Sequence, residues 1–194
     1  MSFHTNVQEK VLFLNKFIRS PKQMGSITPS SRFLARAMTK PVPWAQAQVI
    51  AELGAGTGAL TRFIRQAKGP KTKVLLFEKE QLLRKQLEAQ FPEFSCHADA
   101  CSMGQVLNQQ GIEGLDAVIS GLPFYNFPQQ LRDRLVEQIT SSLKPGGRFI
   151  AFQYSLQMKS QLEQDFDIET IRFVPFNFPP AFVYVCRKPG GTAQ

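Results

Sequence analysis

The stretch Val49-Ile50-Ala51-Glu52-Leu53-Gly54-Ala55-Gly56-Thr57-Gly58 passes from a short apolar strand into three closely spaced glycines, and residues 60–66 continue as a helix. Glycines at the end of a strand allow a tight turn and a close approach of backbone to a ligand. Outward from this point, strand and helix alternate. Lys73–Phe77 reads as a strand, Gln81–Gln90 as a helix, 94–97 as a weak strand and Leu115–Ser120 as a strong one. Residues 128–143 form an amphipathic helix with Leu131, Leu135, Ile139 and Leu143 in step. The turn Lys144-Pro145-Gly146-Gly147 leads into a strand over 148–152, and 156–164 is a short helix. Strands over 169–173 and 182–186 then follow with no helix between them, so one of them runs antiparallel. The alternation predicts an α/β fold, a mostly parallel sheet with helices on both faces.

The chain has 194 residues, 43 % of them hydrophobic, enough for one domain with a sizeable core. Three cysteines, Cys96, Cys101 and Cys186, have no paired spacing, which argues against a disulfide framework, a zinc site or any other metal centre. No signal peptide and no apolar run of about 18 residues is seen, so the expectation is a cytoplasmic chain without a membrane span. The net charge is +8, and residues 1–40 hold seven basic residues against Glu9 alone, a balance of +6. Such a cluster suits an anionic partner, either nucleic acid or a lipid surface, or else a solvated helix face.

The glycine stretch alone is ambiguous, because Gly54-x-Gly56-x-x-Ala59 also satisfies a dinucleotide fingerprint. Three acids tip the balance. Glu52, just before the glycines, would repel a pyrophosphate but suits a cationic sulfonium ligand carrying an ammonium group. Glu78 ends the second strand, 20 residues after Gly58, where a carboxylate can grip ribose hydroxyls. Asp99 follows the third strand, placed either to accept from an adenine amino group or to cap a helix starting near Cys101.

In the order and spacing of these motifs, together with the 144–147 turn, residues 45–187 resemble the class I S-adenosylmethionine-dependent methyltransferases. The resemblance implies a Rossmann-like seven-stranded sheet whose last strand is antiparallel. S-adenosylmethionine would lie over its carboxyl edge, held by Glu52, Gly54, Gly56, Gly58, Glu78, Asp99, Ala100 and Ser120. The fourth strand ends in Ser120-Gly121-Leu122-Pro123-Phe124-Tyr125, which resembles the Asn-Leu-Pro-Tyr motif of amino-methylating enzymes with Ser120 in place of the Asn. That departure counts against an adenine target. Phe17-Ile18-Arg19-x-Pro21, Gly25-Ser26-x-x-Pro29-Ser30-Ser31, Ser120-Gly121-Leu122-Pro123 and Asn177-x-Pro179-Pro180-Ala181 together resemble the soluble bacterial phospholipid N-methyltransferases. These are similar in their core to the rRNA adenine dimethyltransferases but lack the helical RNA-binding domain. The resemblance implies a single methyltransferase domain over 1–194, with an N-terminal helical extension over 1–40. Its substrate would be the amine of a phospholipid such as phosphatidylethanolamine.

The residues are compatible with that expectation. A helix over 5–19 gathers Phe3, Val7, Val11, Leu14 and Phe17 or Ile18 on one stripe with basic flanks, a pattern able to lie in a bilayer interface or simply to cover the core. Phe173, Phe176, Phe178 and Phe182 cluster in the predicted substrate loop and suit an acyl chain or a packed core. Ser120, Tyr125 and Asn177 are the candidate catalytic residues, expected to hold the amine by hydrogen bonds. A nucleic-acid adenine methyltransferase is the competing expectation, sharing the core and the basic charge.

Overall fold

Side chains alternate across a strand, so a strand buried on both faces reads as a nearly unbroken apolar run. The computed structural model describes residues 29–190, and in it such runs form one seven-stranded sheet. The strands are β1 (Val49–Leu53), β2 (Lys73–Phe77), β3 (Ser95–His97), β4 (Leu115–Ser120), β5 (Leu143–Gln153), β6 (Asp167–Val174) and β7 (Ala181–Arg187). Their order is β3-β2-β1-β4-β5-β7-β6, with β1 to β5 paired in parallel. β7 runs antiparallel between β5 and β6, as expected for the last strand. The helix expected over 5–19 lies outside the described residues.

Among the described residues, six α-helices cover the sheet: α1 (Pro29–Thr39), α2 (Ala59–Ala67), α3 (Gln81–Gln90), α4 (Met103–Gln109), α5 (Gln129–Ser142) and α6 (Lys159–Asp165). Alternation sorts them into two layers. Ile50, Val74, Leu76, Ala117, Ile119, Ile150 and Val183 point to one face, where Met38 of α1, Ile64 of α2 and Leu87 of α3 pack. Leu53, Leu75, Phe77, Val118, Phe149 and Tyr184 point to the other, against Met103 of α4, Leu135 and Ile139 of α5, and Leu162 of α6. Each fully buried Leu, Ile or Phe in these layers contributes roughly 1.5–3 kcal/mol.

Two elements differ from the sequence reading. The turn at 144–147 lies within β5: Leu115 pairs with Leu143 and Ala117 with Arg148, so the intervening residues leave the ladder as a wide bulge. Gly146, at φ 76°, makes that excursion possible. α6 starts at Lys159 rather than near 156, because the preceding residues are held in a turn. The Tyr184 hydroxyl donates to the Ser155 carbonyl at 3.1 Å, and Ser155 Oγ to Gln157 Oε1 at 2.9 Å.

Asp116 fastens the amino edge of the sheet. Its Oδ2 accepts the Gln48 and Val49 N–H groups at 2.7 and 2.8 Å, and its Oδ1 accepts Lys144 Nζ at 2.6 Å. Burial pushes this carboxyl up, but the bonds from Lys144, Val49 and Gln48 outweigh it and hold the carboxyl below its usual range. Asp116→Asn is expected to lower stability by about 1–2 kcal/mol, with the half-exposed Lys144 contribution discounted for solvent screening. The stabilisation from a depressed carboxyl is complete above its unfolded pKa and disappears as pH falls through the folded one. Urea melts at pH 7 and pH 3 measure this: the gap between the two proteins narrows at the lower pH.

Candidate active site

The parallel register brings the ends of four strands level. Leu53 pairs with both Phe77 and Ser120, and Phe77 with His97. The residues that follow therefore share one edge: Gly54 after β1, Glu78 after β2, Asp99 after β3 and Gly121 after β4. The chain runs outward from β1 through β2 to β3, then crosses back to β4 on the other side of β1. This is the switch point at which open α/β sheets bind ligands.

Backbone bonds fasten the loops together. Gly54 N–H donates to the Phe77 carbonyl, Gly121 N–H to Leu53, and Glu78 N–H to His97, at 2.8, 2.8 and 2.9 Å. Gly54, Gly56 and Gly58 all have positive φ, of 73°, 57° and 80°. Two of them are closed in by neighbours: a Cβ on Gly54 would meet Leu122 Cδ2 at 2.7 Å, and one on Gly58 would meet Phe91 Cε2 at 2.6 Å. A Cβ on Gly56 would meet nothing nearer than the Gly54 carbonyl at 3.9 Å. The loop is thus packed on two sides and open over Gly56.

Alternation directs Glu52 towards α2, into a position otherwise occupied by core residues, and it is 1 % exposed. There the Thr61 hydroxyl donates to its Oε2 at 2.7 Å. Burial pushes the carboxyl up to about 8; the Thr61 bond opposes this and the Glu78 charge adds to it. Glu78 is half-buried, with Oε2 accepting Gly56 N–H at 2.8 Å and Oε1 accepting Glu80 N–H at 2.9 Å. It locks the glycine loop to the end of β2. Asp99 caps the 3-10 turn Ala100–Ser102, its Oδ1 accepting Cys101 N–H at 2.9 Å. Ala100 packs partly buried below it. Among the described residues, no ion pair involves Glu52, Glu78 or Asp99. An edge with three acids, one of them buried and held neutral, and an open glycine cradle fits a ligand that combines positive charge with a nucleoside.

Across Gly121 lies a second space. The cavity, of about 80 Å³, is lined by Gly121, Pro123, Tyr125, Asn126, Phe152, Gln153, Tyr154 and Ser155. Ser120 is wholly buried, and its Oγ accepts Leu122 N–H at 3.2 Å. Gln153 Nε2 donates to the Leu122 carbonyl at 3.0 Å, so both polar groups of Leu122 are tied down. Tyr125 is half-exposed with the Arg132 guanidinium 5.9 Å from its ring centre. Asn177 sits in the β6–β7 hairpin, where its amide donates to the Pro179 carbonyl at 2.7 Å; it does not line this cavity. Burial raises the Tyr154 hydroxyl pKa, so Tyr154 stays protonated at neutral pH. His97 packs on Phe77 with tilted rings 5.3 Å apart, and burial lowers its pKa.

Thr61, Gln153 and Tyr154 are the site residues missed by the sequence reading. Thr61 carries one signal, a polar side chain on the inward stripe of its helix. Gln153 and Tyr154 follow an apolar strand and look like its frayed end.

Comparison with known proteins places this geometry. Residues 23–172 match the family described as Methyltransferase small domain. The chain is 35 % identical over 181 residues to the ornithine lipid N-methyltransferase of Singulisphaera acidiphila, covering 91 % of this chain and 94 % of that protein. The fold is similar to that of the N-methyltransferase NodS from Bradyrhizobium japonicum in complex with S-adenosyl-L-homocysteine. That match has a TM-score of 0.69 at 11 % identity and covers 92 % of this chain and 97 % of that one. It is also similar to a Burkholderia thailandensis 1,6-didemethyltoxoflavin-N1-methyltransferase bound to S-adenosylhomocysteine, with a TM-score of 0.67 at 13 % identity, covering 96 % and 89 %. The chain belongs to the Methyltransferase small domain family, as an S-adenosylmethionine-dependent N-methyltransferase of class I. Among the described residues, no helix is long and apolar enough to cross a membrane, and no three His, Cys, Asp or Glu side chains group as metal ligands.

Proposed function

We propose that this chain methylates the amine of a membrane lipid headgroup, such as that of phosphatidylethanolamine, at the membrane surface. The observation that carries the reading is the small aromatic cavity beside Gly121, one residue from the contact with the glycine loop. The similarity to an enzyme whose named substrate is an ornithine lipid supports the same substrate class.

In this reading Glu52, Gly54, Gly56, Gly58, Glu78, Asp99, Ala100 and Ser120 form the S-adenosylmethionine site. When bound, that cofactor supplies an electrophilic methyl group on a positively charged sulfur. The chain's own residues do the rest. Glu52, once ionised, would face the positive charge, Glu78 would accept from the ribose hydroxyls while keeping its hold on Gly56, and Asp99 would accept from the adenine amine. Ser120 acts through Leu122, fixing the turn that separates the two spaces.

The acceptor amine must be neutral to react. An alkyl ammonium has a pKa of about 10, so reaching the free amine at pH 7 takes roughly 4 kcal/mol. A half-enclosed aromatic cavity lowers that demand, because desolvation disfavours the cation. As the amine attacks, positive charge develops on it, and the aromatic side chains of Tyr125, Phe152 and Tyr154 that line the cavity are placed to attract that charge. Tyr125 holds the headgroup for in-line attack, Asn177 acts from outside the cavity by fixing the β6–β7 hairpin through Pro179, and alignment supplies most of the acceleration.

Labelled S-adenosylmethionine offered with phosphatidylethanolamine vesicles, ornithine lipid vesicles and structured RNA tests the reading. Label in a lipid extract is expected; label in RNA alone would overturn it. Tyr125→Phe is expected to lower turnover about tenfold, the value of one hydrogen bond, with unchanged cofactor affinity by calorimetry. Full turnover in that variant would remove Tyr125 from the site.

A further inference from the structure

Among the described residues, seven large hydrophobic side chains are exposed: Phe33, Leu82, Tyr125, Leu156, Phe173, Phe176 and Phe178. All of them lie at the carboxyl edge of the sheet. Tyr125 and Leu156 follow β4 and β5, and Leu82 opens α3 after β2. β6 runs parallel to β5, so Phe173, Phe176 and Phe178 lie at the same edge. Phe33, in the first half of α1, packs on Phe176 with ring centres 5.5 Å apart. The opposite edge, where Asp116 sits, carries none of the seven.

The rim is also divided by charge. Its exposed and half-buried acids, Glu78, Glu80 and Asp99, follow β2 and β3, at one end of the strand order, with Lys79 and Arg84 among them. Segments 29–39 and 170–182, at the other end, contain Arg32, Arg36 and Arg172, all exposed, and no carboxylate. The adjoining sequence 1–28 adds four basic residues against Glu9. Phe176 and Phe178, 68 % and 70 % exposed, project from the hairpin that joins the edge strand β6 to the buried β7. Exposed aromatics rimmed by cations and free of carboxylates match an interface with apolar depth and negative surface charge.

We propose that this half of the rim, with the β6–β7 hairpin leading, seats on an anionic lipid bilayer, so that the amine cavity opens directly into the headgroup layer. The proposal rests on the lipid-amine reading above and adds the surface by which the chain meets its substrate. It accounts for an amine cavity too small for a whole lipid. The headgroup enters from the bilayer side while the acyl chains stay in the membrane.

The test uses the full chain and vesicles of phosphatidylglycerol mixed with phosphatidylethanolamine, some with brominated acyl chains. In Phe176→Trp, the new indole is expected to shift to the blue on adding vesicles and to be quenched by bromine. Trp44, whose indole N–H is bonded to the Thr39 carbonyl near the opposite edge, is expected not to respond. The double variant Phe176→Ser/Phe178→Ser is expected to bind vesicles at least tenfold more weakly, with melting temperature and S-adenosylmethionine affinity unchanged. An F176W indole that ignores vesicles whose lipid is being methylated would overturn the docking surface and leave the lipid-amine reading standing. An indole already blue-shifted without vesicles, covered by the chain's own residues 1–28, would overturn it too. So would a shift produced by structured RNA and not by vesicles. If the indole enters vesicles whose lipid is never labelled, the docking surface holds and the substrate reading fails.

Discussion

Glu52→Gln will weaken S-adenosylmethionine binding by about two orders of magnitude and abolish its pH dependence. The size follows from losing a buried, charge-assisted contact worth roughly 3 kcal/mol. The pH dependence follows from burial, which raises this carboxyl to about 8 in the free protein. A cationic ligand is met by the ionised form, so binding below pH 8 releases a proton. Affinity then rises about tenfold per pH unit towards 8 and levels off above it. Calorimetry in buffers of different ionisation enthalpy reads the proton directly: near one for the parent at pH 7, zero for the variant. Stability shows the reverse trend. The folded carboxyl holds its proton where the unfolded one, at 4.5, has lost it. Its contribution is therefore intact below the unfolded value and is lost as pH rises through 8, on the order of 5 kcal/mol in all. Thermal melts without cofactor should slope downward over this range in the parent and lose that slope in the variant. A parent protein binding equally well at pH 6 and pH 8 would refute the account.

Gly54→Val will abolish cooperative folding, whereas Gly56→Ala will fold and bind poorly. Gly54 stands where the loops after β1 and β4 touch, and any Cβ there meets Leu122 at 2.7 Å with φ at 73°. A left-handed backbone on a side-chain-bearing residue costs about 1–2 kcal/mol, and over-packing adds about 1–3 kcal/mol, more for a branched side chain. The total approaches the stability of an ordinary domain. Gly56 bears only the backbone penalty, since a Cβ meets nothing closer than 3.9 Å. That Cβ would project over the open side of the cradle, so cofactor affinity falls while the melt stays cooperative. Differential scanning calorimetry with and without S-adenosylmethionine separates the two; equal behaviour would show that the glycines share one role.

The fold was legible because its evidence is local and repeated. Apolar runs such as Leu115–Ser120 have no alternative in a chain this size, and the glycines after Leu53 mark where the first one stops. The β6–β7 pair was legible for the same reason, as two strands with no helix between them. Positions decided by partners distant in sequence were not legible. Asp116 reads as an ordinary strand residue until β5 brings Lys144 beside it. Tyr154 reads as the frayed end of a strand until the turn after Gly121 closes over it. Asn177 joins Tyr125 as a candidate through the resemblance carried by Asn177-x-Pro179-Pro180-Ala181. In the structure its amide is turned onto Pro179, a contact two residues away.

The place of β7 between β5 and β6 has a consequence for assembly. β6 precedes β7 in the chain but borders no other strand, so it stays without a ladder until the later strand has inserted. Until then β5 shows an unpaired row of amides, the kind of edge that recruits a foreign strand. Aggregation during synthesis should therefore be governed by how fast residues 181–187 reach their slot. Substitutions that slow that arrival should reduce soluble yield while leaving the finished protein's melting point unaltered.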